Sequence, residues 1–256
     1  MSRPAAAVLF AWGRLGAQAT GRAASALVIV DVLSFSTAVA IAVGQGAAIY
    51  PHPWPAPDIQ AFADARDAAL AVPRHQAGPE HPWSLSPASL LRGPLPPRLV
   101  LPSPNGSAIA ATATSRHVLA GCLRNATAVA RWLENHGSGT ASSPAAIIAA
   151  GERWPGGELR VALEDLLGAG AIIAAFSPDR TRTAEAAAAE ALWLACAGQV
   201  RELLASCTSG QELSAAGYGD DVTLAAEHDT QNVVPVLRGA AFQNDIPGAN
   251  RAGDQG

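Results

Sequence analysis

Four short apolar runs, each followed by a polar cluster, dominate the pattern along this chain. The runs lie at 26–30, 98–101, 117–120 and 145–150, and the segments after them have helical character at 36–43, 106–114, 125–136 and 158–175. Short, continuously apolar strands that alternate with helices are typical of a sheet covered on both faces. The pattern therefore predicts an α/β fold with three layers, α/β/α, around a mixed, mostly parallel sheet.

The remaining segments complete the predicted organisation. The apolar start "AAAVLFA" predicts an edge strand rather than a signal peptide. Residues 51–97, here called the proline-rich excursion, hold 11 of the 19 prolines around a short helix at 58–70, in a position typical of an active-site cover. A long helix is predicted at 183–206. We expect residues 1–245 to form one domain and 246–256 to be a disordered tail.

Composition and charge narrow the class of protein. The 256 residues are 49% hydrophobic and 15% charged, which indicates a packed globular protein. A net charge of −4 without a basic run argues against nucleic acid and anionic membrane as partners, and no apolar run approaches the roughly 20 residues of a membrane span. We expect a cytoplasmic protein, and the high apolar fraction favours a homo-oligomer.

The chain contains no lysine, so all 17 positive charges are arginines. This excludes a Schiff-base lysine and a phosphate-binding loop of the G-x-x-x-x-G-K-[ST] type. A bound anion must then be held by arginine, backbone N–H groups, hydroxyls or a metal ion.

Three groups of reactive side chains receive no chemical role. Cys122, Cys196 and Cys207 form no C-x-x-C pair and are interpreted as buried free thiols. The six histidines lack the spacing of metal ligands. Asp220 and Asp221 are interpreted as a helix cap.

Polar residues at the ends of the predicted strands form the candidate site. Ligands of open α/β sheets bind at the carboxyl ends of the strands, so one cleft is expected to collect these residues. Asp31 ends the first strand. Helix N-termini attract anions, although Ser and Thr at such positions more often simply cap the helix. The candidate anion-binding residues at two helix starts are Ser36, Thr37, Asn105, Gly106 and Ser107.

Acidic residues predict a metal site at the same edge. Asp31, Glu152 and one of Glu164 and Asp165 would bind a hard divalent cation through oxygen, with Mg²⁺ the natural choice. Glu164 and Asp165 are adjacent on a predicted helix and point about 100° apart, so only one is expected to face the cleft and the other to be solvated. The known motifs of cysteine, histidine and haloacid-dehalogenase phosphatases and of serine hydrolases are absent. Metal-plus-carboxylate chemistry remains.

Five blocks occur in order between residues 26 and 239: "VIVDVLSFSTAVAIAVGQGAAIYP", "LPSPNGSAIA", "GCLRNATAVARWL", "AAGERWPGGELRVALEDLLGAGAII" and "GYGDDVTLAAEHDTQNVVPVLRG". Together they resemble the 2-phosphosulfolactate phosphatase family, enzymes that use Mg²⁺ to remove phosphate from 2-phospho-3-sulfolactate on the route to coenzyme M. The resemblance implies a phosphoric monoester hydrolase with a small anionic phospho-acid as substrate. Ser34 and Pro104 stand where the family usually has arginine and threonine.

The resemblance and the residue patterns together assign roles. The predicted catalytic residues are Asp31, Glu164 and Asp165, and the predicted metal ligands are Asp31, Glu152 and Asp165. The predicted substrate-binding residues are Ser36, Thr37, Asn105, Gly106, Ser107, Arg124, Asn125 and Arg153, of which the two arginines would take a carboxylate or sulfonate. Whether Asp31 binds the metal or attacks phosphorus stays open. The alternative function is a non-catalytic binder of small anionic metabolites, which needs no metal.

Overall fold

The structure, a computed structural model, describes residues 6–246, so the predicted tail lies outside the described residues except for Ile246. The strands are β1 (Val8–Trp12), β2 (Ala26–Val30), β3 (Ala48–Pro53), β4 (Ala69–Leu70), β5 (Arg98–Ser103), β6 (His117–Gly121), β7 (Ala145–Ala149), β8 (Glu152–Arg153), β9 (Leu159–Arg160), β10 (Pro235–Arg238) and β11 (Ala241–Asn244). The α-helices are α1 (Gly13–Gly21), α2 (Phe35–Gly44), α3 (Ile59–Asp64), α4 (Gly106–Ala110), α5 (Ala126–Asn135), α6 (Leu163–Ala174), α7 (Ala184–Cys196), α8 (Val200–Ser206), α9 (Thr208–Ala215) and α10 (Gly219–Ala225).

Nine strands form one mixed sheet in the order β1-β7-β2-β6-β10-β11-β3-β5-β4. The strands β1, β7, β2 and β6 are parallel to one another, and so are β3, β5 and β4. The hairpin β10–β11 pairs antiparallel with β6 on one side and with β3 on the other. The predicted α/β fold with a mixed, mostly parallel sheet is confirmed, and β1 is the edge strand that the apolar start predicted.

Strand β2 is completely buried because helices cover both faces of the sheet. Successive side chains of a strand point to opposite faces. Leu27 and Ile29 accordingly pack into a core with α1, α2 and α4. Val28 and Val30 pack into a second core with α5, α6 and α7. The continuous apolar run thus reports a strand in the middle of three layers.

The sheet is coiled rather than flat. Four strands separate β2 from β5, so a flat sheet would hold the two about 24 Å apart, at roughly 4.8 Å for each of five spacings. The turn after β5 nevertheless contacts the end of β2, where Gly106 N lies 2.8 Å from Oδ2 of Asp31. Three antiparallel pairings between β6 and β3 also reverse the direction of β5 relative to β2. The expectation that all four polar clusters share one edge of parallel strand ends is therefore wrong for β5, which reaches the site through the coiling of the sheet.

Several predicted helices are shorter than expected. The helix predicted at 158–175 begins at Leu163, because the preceding residues form the hairpin β8–β9 around Gly157, whose φ is 91°. The helix predicted at 183–206 is divided by a 3₁₀ turn at Ala197–Gln199. The helix predicted at 58–70 ends at Asp64, because the following residues pair with β5 as β4. Among the helices between residues 6 and 246, none is long and apolar enough to cross a bilayer.

Candidate active site

Asp31 follows β2 directly and is only 5% exposed. Its Oδ1 accepts a hydrogen bond from Phe35 N at 3.1 Å, and its Oδ2 accepts one from Gly106 N at 2.8 Å. Burial raises the pKa of Asp31 more than these two hydrogen bonds lower it, and the negative charge of Glu164 raises it further. The carboxylate is therefore fixed in orientation and placed where negative charge is poorly solvated.

The turn after β5 can approach Asp31 because residue 106 is glycine. A Cβ at Gly106 would lie 2.7 Å from Cγ of Phe35 and 2.9 Å from Oδ2 of Asp31, closer than carbon atoms pack. The neighbouring Asn105 donates a hydrogen bond from Nδ2 to Oε2 of Glu152 at 2.9 Å. Residues from three separate stretches of the chain, Asp31, Asn105 and Glu152, thus meet at one rim.

Both acids at the start of α6 are buried, with Glu164 2% and Asp165 3% exposed. Asp165 accepts hydrogen bonds from Val32 N at 2.7 Å and Gly151 N at 2.8 Å, so it ties together the loops after β2 and β7. Glu164 accepts a hydrogen bond from Sγ of Cys207 at 3.4 Å. The expectation that one of the two acids is solvated is wrong, because both are buried: two loop N–H groups bind Asp165, the Cys207 thiol binds Glu164, and the N-terminus of α6 favours both charges.

Three of the carboxylates at the rim, those of Asp31, Glu152 and Asp165, have raised pKa values. Burial is the largest cause for Asp31, Glu152 and Asp165, and the charges of neighbouring acids add to it. The pKa of Glu152 rises from an ordinary 4.5 to about 7, because burial and the charge of Asp31 outweigh the hydrogen bond from Asn105. Such a cluster favours the binding of a proton or a cation.

A cavity of about 270 Å³ opens beside this rim. Its walls include Asn105 and Glu152 together with the charged residues Arg14, Arg153 and Glu158. The cavity is large enough for a small organic acid and would bring such a molecule into contact with Glu152, the one acid of the cluster that lines it.

Comparison with known proteins identifies the family. The family model described as 2-phosphosulpholactate phosphatase matches residues 16–240. This chain belongs to that family. A probable 2-phosphosulfolactate phosphatase from Pseudothermotoga lettingae is 27% identical over 150 residues, which are 58% of this chain and 61% of that protein. The match to this relative thus spans less than two thirds of the relative's length. The match to the family model confirms the family resemblance predicted from the sequence.

In this family member, four of the predicted substrate-binding side chains form hydrogen bonds with the backbone. Ser36, Thr37, Ser107 and Asn125 are fully buried, and each donates a hydrogen bond to a main-chain carbonyl oxygen at 2.8 to 3.0 Å. They hold the loops after the strands in shape. The two oxygens of Asp31 accept hydrogen bonds from N–H groups in the turns that these side chains stabilise.

The two arginines predicted to bind substrate lie in different surroundings. Arg124 is 8% exposed, pairs with Glu227 and donates to Leu224 O at 2.8 Å, so it fastens the segment after α10. Arg153 is exposed, lines the cavity beside Glu152, and donates from Nη1 to Gly157 O at 3.3 Å. Arg153 is therefore the one of the pair that a ligand in this cavity can reach.

Two further arginines bring positive charge to the acidic cluster, although the sequence did not point to them. Arg160 lies opposite Glu152 in the hairpin β8–β9. Its positive charge lowers the pKa of Glu152 and so opposes the larger effect of burial, which raises it. The "PGG" turn between these short strands was a signal for the hairpin. Arg74, in the proline-rich excursion, contacts the Ser34 hydroxyl, and its charge likewise lowers the pKa of Asp31. No pattern near residue 74 predicts its contact with Ser34, which lies 40 residues earlier in the sequence.

Asp221 holds Arg74 in place. Its Oδ2 accepts from Nε of Arg74 at 3.3 Å, and its Oδ1 accepts from Ser86 Oγ at 2.6 Å and Ala88 N at 3.0 Å. Asp221 lies in the first turn of α10 but is 1% exposed. Its interpretation as a helix cap is wrong, because its carboxylate binds the proline-rich excursion instead of the N–H groups of its own helix.

Two of the four acidic side chains at the rim have an oxygen available to bind Mg²⁺. Asp31 and Asp165 each already accept two backbone N–H groups, whereas Oε1 of Glu152 and of Glu164 accepts no hydrogen bond from residues 6–246. Over the same residues, no three acidic, cysteine or histidine side chains are grouped closely enough to hold a metal by themselves. Mg²⁺ commonly binds through one or two carboxylates and completes its shell with substrate and water oxygens, and this donor set suits that arrangement.

Proposed function

We propose that this protein hydrolyses the phosphate monoester of a small anionic acid in a Mg²⁺-dependent reaction, with 2-phospho-3-sulfolactate as the candidate substrate. The products are 3-sulfolactate and phosphate. The observation that carries the proposal is the meeting of Asp31, Asn105 and Glu152 beside one cavity. Family membership and the name of the bacterial relative support the choice of reaction and substrate.

Each residue at the rim has a proposed task. Asp31 contacts the reacting phosphoryl group, because two N–H groups hold its carboxylate in a fixed direction. Glu152 and Glu164 offer the oxygens that would hold Mg²⁺. When bound, this ion supplies positive charge against the phosphoryl oxygens. Asp165 positions the loop of Asp31 through its bond to Val32 N.

Release of phosphate from 2-phospho-3-sulfolactate, measured with Mg²⁺ and with EDTA, tests the proposal. We expect release with Mg²⁺ only, and a loss of about 100-fold or more in kcat for Asp31→Asn. Asp179→Asn is the matched control, since Asp179 is exposed and its carboxylate makes no hydrogen bond within residues 6–246. Full activity of a folded Asp31→Asn variant, or no release under either condition, would refute the proposed role or the proposed reaction respectively.

A non-catalytic binder of small anionic metabolites is the second candidate. One observation favours it: both oxygens of Asp31 and both of Asp165 already accept backbone hydrogen bonds, as expected of acids that brace loops. Saturable binding of the phospho-acid without any turnover, in the presence of Mg²⁺, would decide for this alternative.

A further inference from the structure

Arg74 carries a half-buried guanidinium that the proposed reaction leaves without a task. Its side chain is 19% exposed, and Asp221, itself 1% exposed, fixes it from one side. Its Nη2 contacts the hydroxyl of Ser34, three residues after Asp31. A guanidinium oriented by a buried carboxylate has lost most of its conformational freedom, so it can bind an anion at a smaller entropic cost.

Arg74 lines a second cavity. The cavity measures about 190 Å³ and has mainly apolar walls, which include Trp54, Pro102 and Pro104. Within the described part of the chain, Nη1 of Arg74 donates no hydrogen bond, although Nε and Nη2 both do. An unpaired N–H group beside apolar walls is a strong site for an anion, because little water competes for it.

The second cavity lies next to the acidic rim. Pro104 lines it, and the following residue, Asn105, lines the larger cavity with Glu152. The next residue in the same turn is Gly106, which binds Asp31. The two cavities therefore flank one turn, with the Asp31 carboxylate beside it.

We propose that Arg74 binds the second anionic group of the substrate, a carboxylate or sulfonate, while the phosphoryl group lies against Asp31. Arg74 then selects phosphomonoesters that carry another negative charge, and Asp221 serves as its positioning residue. The assignment rests on the proposed function. It adds a specificity determinant from the proline-rich excursion, in a different cavity from the one that Arg153 lines.

Three substrates separate the possible anions: 2-phospholactate carries a carboxylate, 2-(phosphooxy)ethanesulfonate carries a sulfonate, and p-nitrophenyl phosphate carries neither. For Arg74→Gln we expect KM to rise about tenfold to a hundredfold for at least one of the first two, the size of a charged hydrogen bond. For p-nitrophenyl phosphate, the loss in kcat/KM should be smaller by about fivefold or more, because only the effect of the Arg74 charge on Asp31 is removed there. Arg92→Gln is the control, because Arg92 is an exposed arginine of the same excursion whose side chain makes no hydrogen bond within residues 6–246.

Arg74→Gln leaves the buried carboxylate of Asp221 without its cation, so the double variant Arg74→Gln/Asp221→Asn is measured beside it, with circular dichroism to check the fold. Equal losses on all three substrates in a folded variant, or no loss on any, would overturn the assignment. If the wild type hydrolyses none of the three, phosphate release from 2-phospho-3-sulfolactate decides separately whether the proposed function fails. Arg74 is then tested by equilibrium dialysis of 2-phospholactate and 2-(phosphooxy)ethanesulfonate: weaker binding of either to the variant supports the assignment, and unchanged or absent binding of both overturns it.

Discussion

Replacement of Glu152 by glutamine is expected to stabilise the protein above neutral pH. The carboxylate of Glu152 is mostly withdrawn from water and lies near the charges of Asp31 and Glu164, and its pKa in the folded protein is about 7. Glutamine keeps an oxygen that can accept the hydrogen bond from Asn105 and removes the negative charge. The substitution should therefore remove electrostatic repulsion at the candidate site and make the fold more stable, as is common when active-site residues are replaced.

The expected size follows from the two pKa values. Between pH 4.5 and about 7 the folded protein holds a proton that the unfolded chain has released, so the free energy of unfolding of the wild type falls as pH rises. At 1.36 kcal/mol for each pKa unit, the rise from 4.5 to about 7 sets an upper limit of about 3 kcal/mol. Glu152 is partly exposed, and solvent screening reduces this to about 1–2 kcal/mol.

Urea unfolding in EDTA, at several values between pH 4 and pH 8.5, measures the effect. The gain for Glu152→Gln should be near zero at the acid end, grow through the interval and level off above about pH 7. Glu158→Gln, which removes an exposed carboxylate from the same hairpin, should show no such growth. Added Mg²⁺ should stabilise the wild type more than Glu152→Gln. A gain that is independent of pH, or one that shrinks as pH rises, would refute the reasoning.

Two further outcomes follow from close packing at the site. Gly106→Ala would place a methyl group 2.7 Å from Cγ of Phe35, so we expect a loss of about 1–3 kcal/mol in urea unfolding and reduced turnover, and unchanged stability would contradict the close approach. In the native protein at pH 8, a thiol reagent should label Cys196 but neither Cys122 nor Cys207, because burial raises the pKa of Cys122 and, with the charge of Glu164, raises that of Cys207 to about 12. Peptide mass spectrometry after brief labelling reads this out, and rapid modification of Cys122 would be the contrary result.

The central strands could be predicted because their signal is local. A run such as Ala26–Val30 is apolar at every position, which is typical of a short strand with helices on both faces. The acid after it was equally visible. The direction of β5 was not, because it depends on the hairpin β10–β11 more than 100 residues later, and nothing near residue 98 reports that pairing.

The roles of individual side chains were harder to predict than their neighbourhood. The sequence offered two uses for Ser36 and Thr37, a helix cap or an anion site. The structure shows a third, since their hydroxyls donate to the carbonyl oxygens of Ile29 in β2 and of Val32 in the turn after it. Arg74 could not have been selected among 17 arginines, because its position depends on Asp221, which comes from a distant helix.

The hairpin β10–β11 affects when the candidate site can form during synthesis of the chain. It is the seam between two sets of strands that run in opposite directions, and the contact of Asp31 with Gly106 crosses from one set to the other. A ribosome-bound chain that has not yet reached residue 244 lacks this seam, however well its first strands have formed. We therefore expect the pocket to form only after residue 244 has been synthesised, so that a ligand that needs both sides of it does not bind shorter nascent chains.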